Sequence, residues 1–294
     1  MRKILTAASL SLLAIVALIA GCKKTGNLDN LTVPPAQSSF ANKTLGTFYV
    51  KNDPNTYYKI PVGITNVASV DRTVTVSVTS PTGAVAGTQY SLPTMNVVIP
   101  AGKALDSLTV KGNFAGYPGT RQDTLVFTIT GGDVPPSSFN NTFKLVLRRY
   151  CDVVGANLMG AYANSRDYDR SLAGTPSAAK YTVTLANFTP VGTAGTSATV
   201  LIKNLGGTGD IGFAPFAATD PAATGITATL DWSNPANFTV SIPKQNYVTS
   251  LYSYGQSTIT GTGTFSSCDQ TFTITYTVGV GAGNFSAVVS NLVR

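Results

Sequence analysis

Thr73-Val74-Thr75-Val76-Ser77-Val78 alternates without a break between hydroxyl side chains and valines. Successive side chains of an extended strand point to opposite faces, so this register puts three valines on one face and three hydroxyls on the other. That is a half-buried strand, and no helical period fits it. Outward from it, Thr47–Val50, Tyr57–Val62, Met95–Ile99, Leu105–Val110, Thr124–Ile129 and Thr142–Leu147 share its β-branched and aromatic composition. Pro81-Thr82-Gly83, Pro100-Ala101-Gly102 and Gly131-Gly132-Asp133 punctuate them as turns. Seven short strands in about a hundred residues predict a β-sandwich over 45–150.

From Cys151 onward the strands lengthen and the turns become rich in Gly, Ala and Thr. The candidates are Met159–Asn164, Lys180–Ala186, Ala198–Asn204, Ile226–Trp232, Phe238–Ile242, Ser257–Phe265, Thr271–Val278 and Phe285–Leu292. Eight strands with no helix between them predict an antiparallel meander over 151–294. It either closes into an up-and-down barrel or stacks as two sheets. Closure has a physical motive, because it removes unpaired strand edges. The fold class expected is therefore all-β.

Composition excludes more than any motif does. Charged residues are 11% of the chain, and Thr, Ser, Asn and Gly fill the polar positions. There is no histidine and no glutamate, so all 13 acidic residues are aspartates. Without His there is no Ser-His-Asp or Cys-His nucleophile pair and no His metal ligand. Without Glu, the commonest carboxylate of sugar-cleaving sites is missing. The expectation is a protein that is not an enzyme and holds no metal or cofactor. The formal charge is +7, and +5 once Arg2 and Lys3 are removed. The bases are scattered, with no basic run interleaved with aromatics, which argues against nucleic acid.

The N-terminus reads as an address. Arg2 and Lys3 precede an apolar run from Leu10 to Ala20, which ends in Ile19-Ala20-Gly21-Cys22. A charged start, a short apolar middle and small residues before a cleavage point are a secretory signal pattern, and the run is shorter than the ~20 residues of a membrane span. The cysteine at that point resembles the lipobox of bacterial lipoproteins. The resemblance implies a signal peptide over 1–21, lipidation at Cys22 and a membrane partner through the anchor. Residues 22–44, with Pro34-Pro35 and little periodicity, read as the tether. Lys23-Lys24 stands where an aspartate signals inner-membrane retention in many such proteins, so the outer membrane is expected, on its periplasmic or cell-surface face.

Ala86-Gly87-Thr88-Gln89-Tyr90, Val97-Val98-Ile99-Pro100-Ala101-Gly102 and Asp106-Ser107-Leu108-Thr109-Val110 resemble Calx-β-like and related immunoglobulin-type modules of Bacteroidota surface lipoproteins. The resemblance spans roughly 45–150 and implies an immunoglobulin-like sandwich. Calcium-binding members carry an acidic residue where this chain has Gln89, and Ca²⁺ wants six to eight oxygens, several of them charged. No calcium site is expected. Leu158-Met159-Gly160-Ala161-Tyr162 is similar to the opening strand of lipocalin-like domains in the same lipoproteins.

Five groups of side chains are candidates for specific roles. Cys151 and Cys268 are an even pair in an oxidising compartment and read as a disulfide, the alternative being two separate buried thiols. Trp232, the only tryptophan, and Tyr247, Tyr252 and Tyr254 suggest an aromatic platform for a sugar face, flanked by Gln245, Asn246 and Gln256. The alternative is that Trp232 plugs a barrel end and the tyrosines cap its rim. Asp167 and Asp169 flank Tyr168 between Arg166 and Arg170; in an extended strand both carboxylates would share one face, a spacing open to a metal or an acid–base pair, but the flanking arginines favour a solvated, neutralised loop. Asp106-Ser107-Leu108 and Asp123-Thr124-Leu125 resemble a short O-glycosylation motif of Bacteroidota secreted proteins, with Ser107 and Thr124 as acceptors. The function expected is non-catalytic binding, of polysaccharide in a nutrient-uptake system. The competing expectation is a structural or adhesive spacer that binds a surface protein.

Overall fold

The computed structural model describes residues 35–169, 180–206, 225–249 and 255–294. The first domain is a two-sheet, immunoglobulin-like sandwich. Its strands are β1 (Ser38–Phe40), β2 (Leu45–Val50), β3 (Tyr57–Ile64), β4 (Arg72–Thr79), β5 (Tyr90–Ser91), β6 (Asn96–Ile99), β7 (Leu105–Gly112), β8 (Gln122–Gly132) and β9 (Thr142–Arg149). One sheet runs β1-β3-β7-β5 and the other β2-β9-β8-β4-β6. The deciding stretch is β4, in the second sheet. Val74 and Val76 are buried, facing Phe127 and Ile129 of β8 in the shared core, while Val78 packs at its margin.

The sandwich begins at Ser38, earlier than the tether boundary expected from the sequence. Ser38-Ser39-Phe40 is too short and polar to show a period. Yet the Ser38 amide donates to Pro135 O at 2.9 Å, and the Phe40 ring sits 5.7 Å from that of Phe143 in the core. Sequence pattern also misses β5, a two-residue strand.

The second domain is a closed eight-stranded antiparallel barrel, which decides between the two architectures left open above. Its strands are β10 (Gly160–Asp169), β11 (Tyr181–Pro190), β12 (Ser197–Lys203), β13 (Ile226–Asp231), β14 (Thr239–Asn246), β15 (Thr258–Ser266), β16 (Thr271–Val280) and β17 (Gly283–Leu292). Each pairs with the next, and β10 closes on β17 through Arg166↔Asn291 to Asp169↔Val288. Alternation is plain on β16: Phe272, Ile274, Tyr276 and Val278 point inward, and Thr273, Thr275 and Thr277 outward. An apolar inside and a hydroxyl-rich outside are the reverse of a membrane-spanning barrel, whose outer band is apolar. Among the described residues, no helix is long and apolar enough to cross a membrane.

At Gly261 and Gly263, β15 presses on β16. A Cβ at Gly263 would stand 2.2 Å from Thr273 O, so this bend of the wall admits no side chain.

The barrel end nearer the sandwich is sealed. The single helical turn Gly155–Leu158 inserts Leu158 into it, and Tyr162 donates its hydroxyl to Leu158 O at 2.7 Å. Arg294 lies over the Tyr162 ring and donates to the carbonyls of Asn157 and Met159 at 2.7 Å each. Cys151, just past β9, bonds Cys268 in the β15–β16 turn. The bridge spans 117 residues, which in the chain-entropy model contributes about 4–5 kcal/mol.

Two outcomes check this account. Cys268→Ser is expected to lower unfolding stability by roughly 2–5 kcal/mol in denaturant titration, with the difference erased when both proteins are reduced. Gly263→Val is expected to lower it by about 1–3 kcal/mol or more through overpacking, with the sandwich left folded by far-UV dichroism.

Candidate functional site

The domains meet along a surface rich in cation–aromatic pairs. Parallel pairing of β2 with β9 brings Val50 beside Arg149, so the residues just after both strands emerge together at the barrel. Lys51 lies 5.0 Å from the centroid of the Tyr150 ring and binds Asp152 at 2.7 Å. The Asp152 carboxylate holds the Lys51 ammonium above its ordinary pKa. The Arg149 guanidinium lies 4.8 Å over Phe114 and bonds Asp269 of the barrel at 3.1 Å. Tyr150 meets Phe238 of the barrel edge-on, with ring centroids 5.9 Å apart.

Between the domains this surface dips into a groove of about 180 Å³. Arg121, Arg148 and Tyr150 line it from the sandwich, and Asn237, Phe238, Ser266 and Ser267 from the barrel. Arg148 donates to Ala236 O at 3.2 Å and to Gln122 Oε1 at 3.0 Å, both neutral acceptors. Arg121 is held by the buried Asp123 at 3.0 Å, a contact that raises its pKa. On the other side of the Arg149-Tyr150 segment, a cleft of about 430 Å³ is lined by Lys51, Lys111, Tyr90 and Phe114. The interdomain groove thus combines the guanidinium groups of Arg121 and Arg148, amide and hydroxyl groups, and the rings of Tyr150 and Phe238. Ligand sites favour domain interfaces of this kind.

Of the four aromatics expected to form a platform, the two that lie among the described residues, Trp232 and Tyr247, are not brought together. Consecutive antiparallel strands swap ends, so Trp232, after β13, and Tyr247, after β14, lie at opposite ends of the barrel. Trp232 is half-buried and stacks on Phe188, 6.0 Å between centroids, beside the sealed end. Tyr247 is buried at the other end and donates its hydroxyl to Leu205 O. It is a core residue, not part of a surface. Tyr252 and Tyr254 lie outside the described residues, as does Cys22. Trp232 shares the β13–β14 connection with Pro235–Phe238, which line the groove.

Asp167 corrects the loop reading. β10 continues through it, and its side chain is fully buried inside the barrel. Tyr181 donates to Asp167 Oδ1 at 2.6 Å, and Ser290, its register partner on β17, donates to the same oxygen. Gly206 N donates to the Tyr181 hydroxyl at 3.2 Å. Among the described residues, Asp167 Oδ2 and the Tyr276 hydroxyl have no hydrogen-bond partner. Burial pushes the Asp167 carboxyl above its ordinary range, against the opposing hydrogen bonds from Ser290 and Tyr181. Burial first, and then the Asp167 charge, push up the phenols of Tyr181, Tyr247 and Tyr276. A bulge between Tyr162 and Ser165 shifts the register of β10, so that Ser165 and Asp167 face inward where plain alternation from Tyr162 would turn them out, and the sequence period gave no signal of it.

The remaining expected sites are placed as follows. Ser107 and Thr124 are half-buried in mid-strand, Ser107 on β7 opposite Pro61 and Thr124 on β8 opposite Val146. Asp123, the acid of the second glycosylation motif, is buried against Arg121. Gln89 is buried, and its Oε1 accepts from Val85 N at 2.9 Å, so an amide closes the turn where calcium-binding modules carry an acid. Among the described residues no group of three His, Cys, Asp or Glu side chains could hold a metal ion.

No family model matches this chain, and no curated protein matches it. Among solved structures it is similar to the apo form of the Calx CBD1 domain, at 11% identity and TM-score 0.31, covering 39% of this chain and 96% of that one. It is similar to a putative carbohydrate binding protein from Bacteroides ovatus ATCC 8483, at 13% identity and TM-score 0.32, covering 85% and 69%. A multidomain protein including DUF1735 from Bacteroides ovatus is similar at 14% identity and TM-score 0.31, covering 87% and 92%. At these identities and scores the likeness goes no further than all-β architecture.

Because the folded Asp167 carboxyl is raised above its unfolded value of about 3.9, its contribution to stability is full below that pH. It is lost as pH rises through the raised folded value. The melting temperature should therefore fall from about pH 4 upward by more in the natural protein than in Asp167→Asn, whose amide stays neutral across that range. Parallel melting curves across that range check it, and equal slopes would remove Asp167 as the titrating group.

Proposed function

We propose that this protein is a lipoprotein of Bacteroidota type, tethered to the outer membrane through Cys22, that binds polysaccharide or its fragments without catalysis. The observation that carries the binding site is the interdomain groove with its fixed guanidinium groups. A sugar offers hydroxyls and an apolar C–H face, and the groove offers amide, hydroxyl and guanidinium hydrogen-bonding groups beside the rings of Tyr150 and Phe238. Among the described residues the acceptors of Arg148 are neutral, so a carboxylate-bearing polysaccharide fits best, as the bidentate partner of its guanidinium. The absence of histidine from the sequence supports a binding role over a catalytic one.

A second reading is favoured by the pinned junction. A disulfide and an ion pair tie the two domains together, which suits a spacer that presents a protein-binding surface.

Trp232 reports on this choice, because it is the only indole and shares a connection with the groove. Titrating the full chain with a polyuronate is expected to give a saturable shift in tryptophan emission. Neutral glucans should give a much weaker one. Arg148→Ala should weaken the polyuronate by roughly tenfold or more, the loss expected for a charge-assisted hydrogen bond. A flat response to every polysaccharide, with surface-protein capture retained, would move the assignment to the spacer.

A further inference from the structure

The sandwich end away from the barrel carries an unusual apolar surface. Phe139 is 78% exposed in the β8–β9 connection, and Leu45, Val67, Val70 and Leu105 are each more than half exposed around it. Strand directions put all five at one end: β3 and β8 finish there, and β2, β4, β7 and β9 start there. Hydrogen bonds tie the turns into one surface. Gly102 N donates to Ala68 O at 2.8 Å, Thr65 N to Gln37 O at 2.9 Å, Ser137 N to Ser38 O at 2.8 Å and Phe40 N to Asn140 O at 2.8 Å. A large exposed phenylalanine among exposed aliphatics marks an interaction site on an otherwise hydroxyl-covered protein.

The chain leading to this end identifies what covers it. β1 starts here, with Ser38 opposite Ile64, so the segment from Cys22 arrives at this end. Only residues 23–34 separate Cys22 from the first described residue. Thirteen residue steps span at most roughly 45 Å. Charge at the rim is mixed: Lys43, Lys103 and Lys144 are exposed there, and so are Asp71, Asp106 and Asp133.

We infer that this end of the sandwich docks on the lipid bilayer, with Phe139 inserted at the headgroup boundary, so that the barrel stands outward along the membrane normal. The inference rests on the proposed anchor at Cys22.

The test uses the full lipidated chain in vesicles of phosphatidylcholine and phosphatidylglycerol, with and without brominated acyl chains. The natural protein reports from Trp232 at the barrel, and the double variant Trp232→Phe, Phe139→Trp reports from the docking end. An indole ~5–10 Å into the boundary is within reach of the bromines and should lose roughly half its emission, while Trp232 should lose none. Vesicle-bound protein with no quenching at position 139 would overturn the docking and leave the anchor intact. Protein that stays in the aqueous phase would overturn the anchor and the docking together. Quenching at both positions would overturn the upright orientation.

Discussion

The pairing of β10 with β17 is the constraint on which the second domain depends. A meander of eight strands has two unpaired edges, and such edges invite pairing with another chain. Meeting each other through four register pairs, these strands remove both. Closure then divides every strand into an inner and an outer row. The inner row supplies the apolar fill and the outer row the threonines. Asp167 and Ser290 are partners across the seam itself, so closure alone carries a carboxyl group into the interior. A buried carboxylate is costly unless its charge is removed or matched. The raised pKa is the expected response, and the hydroxyls of Tyr181 and Ser290 hold one oxygen of the group.

Closing the barrel also creates two ends that differ. One is filled by Leu158, Tyr162 and the Arg294 guanidinium, and it is this filled end that meets the sandwich. A solid end can bear on another domain without exposing a cavity. The disulfide, the Arg149–Asp269 pair and the Tyr150–Phe238 contact then fix the groove walls relative to each other. A site built across two domains gains affinity from such fixing, because less freedom is lost on binding.

The elements themselves were legible wherever alternation persisted. All eight barrel strands and seven of the nine sandwich strands carry enough β-branched and aromatic residues to be read from sequence. Ser38–Phe40 and Tyr90–Ser91 were not, because two or three residues make no period. The candidate site was much less legible. Arg148, Tyr150, Asn237 and Ser267 come from distant stretches, and only the docking of the domains brings them together. The tyrosines near Trp232 in sequence are a different case. Fifteen residues separate Trp232 from Tyr247, close enough to suggest a cluster, but one antiparallel strand lies between them and sends them to opposite ends. Strand parity, counted along the meander, contains that result.

The distribution of charge bears on which surface works. Charged residues are scarce in this chain, at 11%, yet all three ion pairs among the described residues lie at the junction or on its rim: Lys51–Asp152, Arg121–Asp123 and Arg149–Asp269. Exposed ion pairs contribute little to stability, a median of about 0–1 kcal/mol, so holding the fold together is a weak reason to collect them there. What they do is fix cationic heads. Asp123 is buried and immobilises the Arg121 guanidinium, Asp269 does the same for Arg149 across the domain boundary, and Asp152 steadies Lys51 over Tyr150. Arg148, held between Ala236 O and Gln122, lies in the same groove with its charge matched by no carboxylate in these contacts. A row of cations held in place along a domain junction presents donors already in position, and less freedom is lost when such donors meet a partner.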